Sequence, residues 1–201
     1  MAEDLVILKG KTFSRIVRWE TSPLVYKSIT AITKAAPVKI TATTHGVPDG
    51  WRVAVVSAGG MRQINAKNWP LRSADFHVAT YFDANTITLN AINSTDYTAY
   101  TSGGSLVYNT PVALAGFSAR MQIRETVEAV GTPLVNLSSV SPATDIVLDD
   151  VAKTITITIA ATATDDFTWD TGVYDLELVS PSGVVTQLLS GNVTAVDEVT
   201  R

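Results

Sequence analysis

The chain has 201 residues, 46% of them hydrophobic and 17% charged, which suits one or two compact domains with a real core. It holds no cysteine, so disulfides, thiolate nucleophiles and thiolate metal ligands are all excluded. The net charge of −4 divides unevenly, +2 over residues 1–29, +2 over 30–110 and −8 over 111–201, whereas nucleic acid binding asks for a concentrated basic patch.

The opening MAEDLVILKGK starts acidic and lacks the basic-then-apolar order of a secretory signal. No apolar run approaches the roughly 20 residues of a membrane span. A soluble protein is expected, with neither nucleic acid nor membrane as partner. From Lys9 to Trp19 the chain reads as a turn and then an alternating strand, with Phe13, Arg15, Val17 and Trp19 on one face. Arg15 breaks that apolar side, so it needs an edge position or a carboxylate. Arg18 points the other way.

The stretch TTHGVPDGW, Thr44 to Trp51, sets one of two histidines between Gly46 and Gly50. Pro48-Asp49-Gly50 has the residue order of a β-turn, and glycine supplies positive φ. His45 is therefore expected to bond backbone across a corner, in a loop that meets Gly60 and Met61, and not to catalyse. His77 falls in the alternating strand Phe76–Tyr81, and no spacing pairs it with His45, so no transition-metal site is expected. Short helical turns are predicted near Ala66–Trp69 and Asp165–Thr168. Aromatic residues crowd this middle region: Trp51, Trp69, Tyr81, Phe82, Tyr97 and Tyr100. Core or subunit interface is the favoured use of these rings, and Trp51 and Trp69 are the candidate contacts if the surface binds sugar.

Two-residue alternation recurs along the chain. Ile87 and Leu89 alternate with threonines. Phe117, Ala119, Met121 and Ile123 face inward, with Arg120 and Arg124 among the outward residues. In Thr154–Ile159, TITITI, the isoleucines take one face and ordinary solvent-facing threonines the other. Asp170 to Leu176 then has the Asp-Gly-Tyr order of a tyrosine corner, with Gly172 and Tyr174 as its key residues and Leu176 where a cysteine often follows. Ser180-Pro181-Ser182-Gly183 reads as a hairpin. The acidic residues Asp145, Asp149, Asp150, Asp165, Asp166 and Asp170 raise a loop calcium site, but no D-x-D-x-D-G loop occurs and solvated turns explain them. No nucleophile elbow, P-loop or dinucleotide fingerprint is present, and nothing selects a carboxylate pair for glycoside hydrolysis. No enzyme activity, metal or cofactor is expected.

The fold class predicted is all-β: an immunoglobulin-like sandwich from residues 1–29 and 111–201, interrupted by a small β-barrel-like module over 30–110. The first strand cannot form a domain alone, and its natural partners resume at Leu114–Phe117. The run GKTFSRIVRWETSPLVYKSI with LAGFSARMQIRETV, TITITI and GVYDLELVSPSGVVTQLLSGNVT resembles small tailed-bacteriophage virion proteins. Its sandwich is similar to the N-terminal domain of upper baseplate proteins from phages of Gram-positive bacteria. The middle region resembles a β-module shared with the first catalytic-cysteine half-domain of ubiquitin-activating enzymes, through His45-Gly46, Gly60-Met61, Asn65, Tyr97, Tyr100 and Gly103-Gly104. With no cysteine in the chain, that resemblance implies a fold and a place in a virion, and none of the ubiquitin chemistry.

What the resemblances imply is a structural virion protein, assembled in the bacterial host cytoplasm, whose partners are other phage virion proteins. A homo-oligomer or symmetric multi-copy array fits, with the tail or baseplate ahead of capsid decoration as the location. Arg15, Arg18, Arg120 and Arg124 are the candidate interface cations. A carbohydrate-binding module contacting the host surface is the alternative from another class.

Overall fold

The computed structural model describes residues 3–143 and 145–197. The chain opens with β1 (Leu5–Leu8) and β2 (Phe13–Val17). The middle holds β3 (Glu20–Ser28), β4 (Ala31–Ile32), β5 (Val38–Thr41), β6 (Arg52–Val56), β7 (His77–Val78), β8 (Thr80–Asp83), β9 (Thr86–Leu89) and β10 (Ser105–Pro111). The rest supplies β11 (Ser118–Arg124), β12 (Val135–Ser138), β13 (Ile146–Asp149), β14 (Thr154–Ile159), one short helix α1 (Ala161–Asp165), β15 (Thr171–Val179) and β16 (Val185–Val196). The protein is all-β and sandwich-like.

These strands form two units, one from residues 1–19 and 113–201 and one from 20–112. In the first, a five-stranded sheet β1-β16-β15-β11-β12 faces a three-stranded sheet β13-β14-β2. Alternation decides which side chains meet between them. Ile155, Ile157 and Ile159 of β14 and Ala119, Met121 and Ile123 of β11 are buried, joined by Leu176 and Leu178 of β15. The N-terminal ribbon takes part in both sheets. Strand β1 pairs in parallel with β16 and buries Leu5 and Ile7, while β2 runs antiparallel to β14 and buries Val17. Gly183 at φ +84° closes the β15–β16 hairpin, where Ser180 Oγ accepts the Val184 N–H at 3.0 Å.

The second unit has two four-stranded sheets, β3-β10-β6-β7 and β4-β5-β9-β8, around one core. That core gathers Ile40, Trp51, Met61, Ile87, Leu89 and Leu106. Its boundaries differ from those predicted. Residues 20–29 belong here and not to the first unit, because β3 pairs with β10 over nearly its whole length, from Ser28 opposite Ser105 to Glu20 opposite Pro111. A nine-residue strand with a buried ladder partner is committed to that sheet.

The helical turns also sit elsewhere. Instead of Ala66–Trp69, 3-10 turns occupy Arg62–Ile64 and Ser73–Asp75. Helix α1 ends at Asp165, where the sequence had placed a helical turn starting. Thr164 anchors it: its hydroxyl donates to the carbonyls of Lys11 at 2.8 Å and Ala161 at 3.0 Å.

Candidate functional site

His45 is 1% exposed, and both ring nitrogens are spoken for. Nδ1 accepts the Val47 N–H at 2.9 Å, which leaves Nε2 as the donor to the Asp83 carbonyl at 2.8 Å. The Tyr108 hydroxyl donates to the His45 carbonyl, and the Tyr81 ring meets the imidazole edge-on. The ring thus ties its own turn to β8. Glycine earns its place in this unit most clearly at Gly60, with φ +75°: a Cβ there would collide with the Ala99 carbonyl oxygen. Nearby, the Asn65 amide reproduces a backbone pair with Ala58, donating to its carbonyl at 3.1 Å and accepting its N–H at 2.8 Å.

The two tryptophans named as sugar contacts part ways. Trp51 is 0% exposed, with its indole N–H bonded to the Asn109 carbonyl at 2.9 Å, so it is core and cannot reach a ligand. Trp69 is 74% exposed. It stands on the loop before Asp75, a buried carboxylate that sequence reasoning passed over. Asp75 accepts the backbone N–H groups of Arg72 at 2.8 Å and Lys67 at 2.9 Å, and the Asn68 amide at 3.1 Å. Those donors, Arg72 first, hold its carboxyl below the ordinary value against the opposing effect of burial.

In the first unit Tyr174 lies inside β15, and its hydroxyl donates 2.7 Å to the Glu3 carbonyl, far along the chain and not to a residue of its own corner. Gly191 is its cross-strand partner, and a Cβ at Gly191 would run into the same Glu3 carbonyl. The N-terminal segment is therefore seated across a tyrosine and a glycine. Gly172 is likewise buried, with the Arg124 carbonyl 2.9 Å from where a Cβ would stand. Burial pushes the Tyr174 phenol up to about 12, with the Glu3 charge adding to the shift.

The four arginines are largely occupied within the fold. Arg15, on the edge strand β2, pairs with Glu3. Arg120 pairs with its cross-strand neighbour Glu177 at 2.6 Å. Arg124 reaches the carbonyls of Ala129 and Gly131, both at 3.0 Å. Arg18 differs, since its Nε is buried with no hydrogen-bond partner among the described residues.

The doublet Asp149-Asp150 holds backbone turns. Asp149 Oδ1 accepts the N–H groups of Val151 and Ala152, and Asp150 takes the Leu114 N–H at 2.5 Å and Lys153 Nζ at 2.6 Å. Lys9 lies between Asp170 at 2.8 Å and Asp197 at 3.3 Å. Among the described residues no group of His, Asp or Glu is arranged to hold a metal ion. No helix among the described residues is long and apolar enough to cross a membrane.

Large apolar side chains are exposed on strands that end their sheets: Val6 and Leu8 on β1, Ile16 on β2, Val147 on β13, Val78 on β7, and Tyr81 and Phe82 on β8. Lys39 sits over the Phe82 ring, 3.8 Å from its centroid. No family model matches the chain, and a search of the curated proteins finds no match.

Proposed function

We propose that the chain is a non-enzymatic structural component of a tailed phage particle, in the tail or baseplate region, held there by contacts between subunits. The observation that carries the reading is the apolar surface on edge strands. An edge strand offers unpaired N–H and C=O groups, and proteins that must stay apart blunt such edges with charge or proline. Here β1 and β8, which end their sheets, leave Val6, Leu8, Tyr81 and Phe82 exposed, which suits docking of a neighbouring subunit, although the Asp49 carboxylate already takes the Tyr81 N–H at 2.8 Å.

Charge supports the same reading. The unit from residues 1–19 and 113–201 carries −6, and the unit from 20–112 carries +2, so unlike parts of neighbouring copies attract. Repetition by symmetry then sums weak contacts into firm attachment. Capsid decoration would use the same surfaces. The exposed Trp69 keeps a host-glycan contact as a second reading.

Mass spectrometry of particles purified from an infected culture tests the proposal. The chain should be present at a fixed ratio to the major tail protein, and its absence from particles would refute the assignment. A ratio to capsid protein, retained in tailless heads, would move it to decoration. Saturable binding on a glycan array, lost in Trp69→Ala, would favour the second reading.

A further inference from the structure

The outer face of the five-stranded sheet carries a groove of about 480 Å³. Its floor is a cross-strand row: Gln122 of β11 lies in register with Asp175 of β15, and Asp175 with Ser190 of β16. Gln187 and Asn192 of β16 extend the floor, and Val127 of the loop after β11 makes a wall. Arg124 holds that loop through the Ala129 and Gly131 carbonyls and donates Nε to Gln122 Oε1 at 3.1 Å.

Asp175 is the charged floor residue whose charge is unspent. Arg120 is paired with Glu177 and Arg124 with the loop, while no ion pair forms to Asp175 among the described residues. Burial first, then the Glu177 charge, pushes its carboxyl up, and the two arginines offset only part of this. The Arg120 and Arg124 charges reach Asp175 only through space, so a carboxylate placed here still gains from a cation that bonds it directly.

We propose that this groove binds the ammonium or guanidinium head of a cationic ligand, with Asp175 as its counter-ion and Gln122, Gln187 and Asn192 as flanking hydrogen-bond partners. Val127 and Val173 give an apolar surface for a methylene stem, which matches the build of a lysine or arginine side chain. Such a group arrives on a free small molecule or on a second copy of this chain, whose residues 20–112 are net positive. The groove would take it whether or not the chain works in a virion.

The test is a titration of the full chain with N-acetyl-lysinamide and N-acetyl-argininamide, followed by the side-chain amide NMR signals. Saturable shifts at Gln122, Gln187 and Asn192 are expected. Asp175→Asn should weaken binding roughly tenfold, the loss of a charge-assisted hydrogen bond, while its melting temperature stays level or rises. Absent or non-saturating shifts, or equal binding by the variant, would overturn the site whatever the state of association. Sedimentation of both forms then identifies the source. Self-association lost in Asp175→Asn puts the cation on a second copy, and unchanged association leaves it on a free molecule.

Discussion

At the scale of single residues, chemistry that looked reactive is spent on holding backbone in place. His45 satisfies one donor and one acceptor that would otherwise be buried alone. His45→Ala orphans both, so it should cost about 2–4 kcal/mol, read as a lower urea midpoint for the unit from 20–112. A loss below 0.5 kcal/mol, roughly the scale of a neutral surface change, would say that the ring is not the brace described. Tyr174 makes a pH prediction. Its folded-state value is raised to about 12 from the ordinary 10. The neutral phenol therefore stabilises the fold fully below pH 10, and that contribution drains away as pH rises from 10 through 12. Tyr174→Phe should cost about 1 kcal/mol at neutral pH and flatten this part of the alkaline stability curve. Asp175 also has a raised value, so its protonated form suits the fold and stability gained from it appears as pH falls. The melting temperature of Asp175→Asn should equal or exceed that of the native chain at pH 7, with the gap closing in acid.

At the scale of elements, what the sequence displays depends on how far the deciding contact lies along the chain. Strands β11, β14 and β15 are legible because period-two alternation is written in consecutive residues, and each buries the face that alternation selects. Strand β3 is not legible. Its ETSPLVYKS has no clean alternation, and its allegiance is settled by β10, some eighty residues later. Trp51 shows the same limit, because nothing local says that the Asn109 carbonyl waits for its indole N–H. Asp75 and Asp175 were invisible for a related reason: their meaning comes from loop amides and cross-strand neighbours that only folding assembles. The corner residues His45, Gly46 and Gly50 were legible because turn chemistry is local. Strand β1 supplies an element-scale prediction. Ile7 is fully buried on a four-residue parallel edge, so Ile7→Ala should cost about 2–5 kcal/mol in the sandwich unit, visible by calorimetry. A neutral result would mean that β1 is a dispensable addition to β16.

At the scale of the whole molecule, two separate cores imply two cooperative units. Denaturant unfolding should resolve two transitions, with Trp51 fluorescence following one and near-ultraviolet signals from Trp19 and Trp169 dominated by the other. Coincident transitions across every probe would mean that the units are coupled into one folding reaction. One further feature bears on how such a chain came to be assembled. Glu20 and Pro111, the first and last ladder partners of β3 and β10, stand opposite each other, so the chain enters and leaves the middle unit at neighbouring points. A segment inserted that way behaves as a cassette. Ends this close together are the geometry that insertion or exchange of a folded unit requires.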